Sequence, residues 1–315
     1  MKLKKITALL ALISVCLCGC ALRPAGTNQK ILSAGGINGE YSFGSGELTD
    51  KVERIEIEWA SGKLNLAQHD GNAICIEERC GAELPEEQKV HWRVDGTTLH
   101  IWFSKPNTFD LINLNSGKKE LTVTLPESLR LDALEIDAAS AGISGTANAG
   151  KLRVDTASGP VTVTTDAEDV AVDTASGSVR LNHSGEAKRV ELNTASGEIL
   201  AELGNIAELD ADSASGKLAF TARSLGTAEI SSASGDVHLT CDSTPTELEI
   251  DTASGAVTLT LPGDADFRME VDTASGKFRS EIPLAMQDDE YLAGSGRGEI
   301  EISTASGDIT LKSGS

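Results

Sequence analysis

The chain is poor in aromatic residues, with three Trp, two Tyr and six Phe in 315 positions, and beyond residue 110 only Phe220, Phe267, Phe278 and Tyr291 remain. Parallel β-helices that process polysaccharides set carboxylates and basic residues together on one sheet face beside rings that stack on sugars, so this scarcity argues against such an enzyme. Histidine is equally sparse: His69, His91, His100, His183 and His238 are scattered, and no two stand at metal-ligand spacing. Basic residues are outnumbered, 27 Lys and Arg against 48 Asp and Glu, for a net charge of −21. Such a surface repels nucleic acid and excludes that class of partner. No apolar run is long enough to span a bilayer. No nucleophile elbow joins a strand to a helix. The Ser-Gly-Lys copies at 61–63, 215–217 and 275–277 lack the spacing of a phosphate loop. No catalytic residue, metal ligand or cofactor is therefore assigned, and the expectation is a protein that is not an enzyme.

What the chain has in abundance is one short phrase. Asp-Thr-Ala-Ser-Gly stands intact at 155–159, 173–177, 251–255 and 272–276, with near-copies at 193–197, 212–216, 231–235 and 303–307. The Ser before each Gly falls at 158, 176, 196, 215, 234, 254, 275 and 306, so the steps run from 18 to 21 residues until a last step of 31. A fixed period near twenty residues marks a solenoid, in which each unit buries its apolar face against its neighbours. Alternating runs flank the phrase, Leu152-Arg153-Val154 before it and Val161-Thr162-Val163 after it. Period-two alternation with β-branched residues reads as strands with one buried face. The predicted fold is all-β: a parallel β-helix or β-solenoid with about two strands per 18–21-residue coil, one turn at the Ala-Ser-Gly corner and the other a variable loop.

The phrase predicts its own turn. Asp155 at the strand end would accept backbone N–H groups. Ala157 fits a tight corner, and Gly159 would supply positive φ. A calcium role for the Asp column is the weaker alternative, because Asn193, Ser231 and Ser303 interrupt it and a calcium site needs six to eight converging oxygens.

Along the chain, 1–19 reads as a signal segment: Lys2, Lys4 and Lys5 precede a 12-residue apolar stretch. Leu17-Cys18-Gly19-Cys20 resembles the lipobox of bacterial lipoproteins, and this resemblance implies that Cys20 becomes an acylated N-terminus holding the chain to a membrane from outside the cytoplasm. Removing 1–19 takes away three lysines and no acids, so the net charge moves from −21 to −24. Residues 20–50 read as a flexible tether with a strand near Tyr41–Phe43. The solenoid domain then covers 51–315, with degenerate coils and a cap over 51–120 and regular repeats over 121–315. Val90–Val94 and Leu99–Phe103 flank Asp95-Gly96 as a hairpin suited to cap the open end. Residues 283–298 leave the coil, and the coil ending at Leu311 is expected to close the fold. Cys75 and Cys80 admit two readings, a local disulfide or two partly buried thiols. Cys241 reads as a small core residue.

LTVTLPESLRLDALEIDAASAGI, the run of Ala-Ser-Gly corners and the ending GSGRGEIEISTASGDITL resemble the bacterial β-strand-repeat family named "putative adhesins", a family of unknown function. Over roughly 50–312 the resemblance implies an extracytoplasmic β-solenoid, with no catalytic residues to carry over. Two function classes remain: a structural or protein-interaction module of the bacterial envelope, with an envelope protein as partner, or a carbohydrate-binding module. The partner's identity and the oligomeric state are not written in the sequence.

Overall fold

The structure, a computed structural model, describes residues 41–106 and 119–314. The expected signal segment, Cys20 and most of the expected tether lie outside the described residues. The described chain is a β-solenoid, with strands before the Ala-Ser-Gly corners forming one parallel sheet and strands after them a second. Leu152, Val170, Val190, Leu209 and Leu248 stack in register, and all are buried. The inward column of the post-corner sheet runs Ile143, Val161, Val179, Ile199, Leu218 and Val237, also buried. Coil-on-coil burial of this aliphatic stack is what holds the rod together. The second turn, expected as a variable loop, is itself paired in the central coils, where Glu186, Asn205 and Ser224 align, as do Ala187, Ile206 and Leu225.

The coils do not stack in chain order at either end. Coil 54–69 lies between coil 131–147 on one side and the strands Thr98–Trp102 and Glu120–Pro126 on the other. Likewise, coil 298–314 inserts between 247–262 and 267–280. The coil ending at Leu311 is therefore interior, which corrects the expectation that it closes the fold. Ile300, Ile302, Ile309 and Leu311 fit between two like coils and are buried. Phe278 on the outer coil meets Tyr291 of the excursion, ring centroids 4.8 Å apart. That excursion is a small hairpin, Ala285–Gln287 with Glu290–Ala293, turned by Asp288 and Asp289 at φ 52° and 68°. Asp266 fastens it: Ser295 and Arg297 both donate to its carboxylate, and these bonds hold its proton affinity well below the usual carboxylate range.

At the N-terminal end the cap is antiparallel. His91–Asp95 turns back on Thr98–Trp102 through Gly96, at φ 63°, as the Asp-Gly pair predicts. Ile74–Arg79 lies antiparallel on Glu120–Pro126. Ser42–Phe43 and Gly46–Leu48 add outer strands, so the end of the expected tether belongs to the cap. Cys75 and Cys80 are free and half-buried. They are separated by the extended strand Ile74–Arg79, which at about 3.3 Å per residue holds their Cα atoms beyond the roughly 7 Å that a disulfide can bridge. The disulfide reading is thus corrected to two thiols. Cys241 is buried in the core, its thiol pushed up to about 12 chiefly by burial.

The corners differ from the expected mechanism in two respects. At seven of the eight repeated corners the turn is capped by the Thr or Ser after the Asp position, Thr156 being the exception. Thr174, Thr194, Ser213, Ser232, Thr252, Thr273 and Thr304 each accept the N–H of the Gly three residues on, at 2.8–3.0 Å. None of the eight repeated corner glycines has positive φ. They are needed for closeness: a Cβ at Gly159, Gly177 or Gly197 would stand 1.7–2.0 Å from the carbonyl oxygen of the neighbouring corner.

Candidate functional site

With turn capping assigned to Thr and Ser, the Asp column lies on the outward face of the pre-corner sheet. Spatially it runs Asp137, Asp155, Asp173, Asn193, Asp212, Ser231, Asp251, Ser303 and Asp272. Two residues earlier on each strand stands a second column, and over the distal half it reads Glu191, Asp210, Glu229, Glu249, Glu301 and Glu270. Parallel pairing sets these carboxylates roughly 4.8 Å apart along the rod. The strict register of the corners is what aligns them.

Part of the repulsion is relieved locally. Arg153 pairs with Asp155 at 2.8 Å and reaches Asp173 at 3.5 Å. Asn193 donates to Asp173 at 2.9 Å and to Glu191 at 3.1 Å. Arg189 serves Glu208, Asp210 and Glu191. In the middle of the face Asp212 is half-buried, and its carboxyl is pushed up to about 6, first by burial and then by the Asp210 and Glu229 carboxylates. Asp210 is raised by burial and then by the Glu191 carboxylate, and Glu229 by burial and then by Asp210.

This arrangement has a pH consequence. The folded-state value of Asp212 lies above the ordinary 3.8, so the folded chain takes up the proton first as pH falls. The penalty is full above about pH 6 and is relieved toward pH 4, and stability rises on acidification through that window. Asp212→Asn should stabilise the protein at pH 7.5 by on the order of 1 kcal/mol and flatten that rise. Thermal melts at pH 7.5 and pH 5 check it: a variant less stable than the parent at pH 7.5 contradicts the assignment.

The opposite face has another chemistry. Thr162, Thr164, Thr221, Thr240, Thr258, Thr260 and Thr310 lie outward along the post-corner sheet, with Arg180, Glu202 and His238 among them. Two open grooves mark the described surface. One, of about 270 Å³, lies on the acidic side by Lys188, Glu208, Asp210 and Glu229. The other, of about 250 Å³, lies by Asn182, Glu202, Arg223 and Asp242. Among the described residues, no three His, Cys, Asp or Glu side chains stand where they could share a metal ion. Several described aromatics of the N-terminal third gather at the cap. Tyr41 meets Trp102 edge-on at 5.5 Å, and His100 stacks on Trp102 at 5.5 Å and 7°. Arg93 lies 5.4 Å over the Tyr41 ring and Lys89 5.9 Å over Phe43.

A coil stack with in-register outward columns defines the β-solenoid class. Residues 52–312 match the Toastrack DUF4097 family, and the chain belongs to it. No curated protein matches. Among solved structures, the chain is similar to a "putative lipid binding protein" from Parabacteroides distasonis, at 17% identity and TM-score 0.46, covering 87% of this chain and 97% of that one. It is also similar to a "putative adhesin" from Bacteroides fragilis, at 15% identity and TM-score 0.39, covering 88% and 100%. A "putative cell adhesion protein" from Clostridium sporogenes matches at 12% identity and TM-score 0.29, covering 87% and 100%.

Proposed function

We propose that this protein is a non-catalytic, adhesin-like interaction module of the bacterial envelope, anchored outside the cytoplasm through a lipid on Cys20 and presenting its acidic pre-corner face to a protein partner. The observation that carries the reading is the double column of carboxylates held in register on one face, against a threonine-rich face opposite. A repetitive charged surface supports specificity and fast association with a partner of opposite charge. The competing carbohydrate-binding reading needs ring faces open to sugars. At the cap, however, Arg93, Lys89 and His100 lie over the rings of Tyr41, Phe43 and Trp102.

A photo-crosslinking residue at Glu249, compared with one at Thr258 on the other face, tests the partner in living cells. A discrete protein adduct from position 249 and none from 258 is expected. Equal adducts at both positions, or glycan-array binding lost on Trp102→Ala, would sink the reading. Anchoring is tested separately. Cys20→Ala should leave an unprocessed precursor or a soluble form, and a variant that fractionates with membranes at the wild-type mass contradicts lipidation.

A further inference from the structure

The tether enters the rod at its aromatic end. Tyr41, the first described residue, packs edge-on against Trp102, and Phe43 two residues on is 44% exposed, one of two large apolar side chains so exposed among the described residues. Trp92 packs beneath the same turn and donates to the Gly44 carbonyl at 3.1 Å. Lys89 and Arg93 lie over the Phe43 and Tyr41 rings. Amphipathic rings with cationic side chains beside them suit the headgroup level of a bilayer, where one part of the group is dry and the other wet. Resting on the lipid-anchored reading, we propose that the N-terminal cap docks on a zwitterionic phospholipid surface through Phe43, Tyr41 and Trp102.

Two further facts select that occupant. Residues 21–40 separate Cys20 from Tyr41, and twenty residues reach at most about 70 Å even when fully extended, so an anchored cap stays within that distance of lipid. That tethering gives the contact a high effective concentration, so weak docking suffices. The exposed Glu47 and Asp50 beside the patch, with a net charge of −24 once 1–19 is removed, make an anionic surface a poor match.

Trp92 and Trp102 lie in the cap and Trp59 is buried in the adjacent coil, so Trp emission reports on this end of the rod. The lipidated full chain, reconstituted in phosphatidylcholine vesicles carrying a headgroup-level spin-labelled lipid, should lose at least a third of its Trp emission. Phe43→Ser should halve that loss while sedimenting with the vesicles like wild type and melting like it in solution. Wild-type protein that sediments with vesicles but keeps its emission overturns the docking and leaves the anchor standing. Wild-type protein that does not sediment overturns the anchor itself, and with it the docking. Quenching that Phe43→Ser leaves unchanged overturns the assigned surface.

Discussion

Gly177→Val should lower stability by about 3 kcal/mol or more, and Gly263→Val by much less. A Cβ at Gly177 would sit 2.0 Å from the Gly159 carbonyl oxygen and 2.8 Å from Thr174 Oγ1. The first clash is with backbone, which no rotamer change relieves, and Thr174 Oγ1 is the atom that caps the turn. Making room would separate two coils and break the register on both sheets, so the cost exceeds ordinary overpacking of about 1–3 kcal/mol. At Gly263 the nearest atom is Ser313 Oγ at 3.1 Å, the end of a side chain that can turn away. Equal melting temperatures for the two variants would show that the corners are not in close contact. Because the Cβ itself meets the Gly159 carbonyl, Gly177→Ala should be costly too, although its backbone conformation is one that alanine adopts freely.

Lys119→Met should cost a further large amount, about 3–5 kcal/mol, because it strands a buried carboxylate. Lys119 is 1% exposed and pairs with Glu78 at 2.7 Å, itself 7% exposed. Its ammonium also donates to the carbonyls of Gln88 and Phe103 and lies 4.2 Å over the Phe103 ring. Burial lowers its proton affinity, and the Glu78 carboxylate opposes that effect. The reason for a buried cation is topological. In the outermost coil no Ala-Ser-Gly corner joins strand Thr98–Trp102 to strand Glu120–Pro126, and the Lys119 ammonium, bonded to the Phe103 carbonyl, ties their ends together. Lys119→Met with Glu78→Gln should recover part of the loss, since no full charge then remains buried. Denaturant midpoints of the single and double variants check this. A single variant as stable as wild type contradicts the clasp.

Most of the solenoid was legible because its information is periodic. Val154, Val163, Val172 and Leu181 fall at fixed offsets, and the hairpin at Asp95-Gly96 carries its turn in two residues. The agent of the turn was misread, although a signal for it existed: Thr or Ser occupies the position after the Asp in every copy, while the Asp itself gives way to Asn193, Ser231 and Ser303. The role of the glycines could not be read, since positive φ and close approach both select Gly, and only coil spacing separates them. Coil order was hidden for a related reason. The corners at 251–255, 272–276 and 303–307 are so alike that any order of stacking satisfies the local pattern. Lys119 has no periodic neighbour and no motif, and its burial follows only from the broken corner.

The acidic columns themselves could be listed from the sequence, but their continuity depends on the stack. In that stack Glu249 neighbours Glu301, and Glu301 neighbours Glu270. Cysteine pairs therefore test it most directly. Neighbours one strand apart stand about 4.8 Å from each other, within disulfide reach, while Glu249 and Glu270 stand two strands, or about 9.6 Å, apart. Under mild oxidation, Glu249→Cys with Glu301→Cys and Glu301→Cys with Glu270→Cys should each crosslink to completion, and Glu249→Cys with Glu270→Cys should not. Efficient crosslinking of 249 to 270, with none between 249 and 301, would mean that the coils follow chain order and that the distal acidic face is built differently.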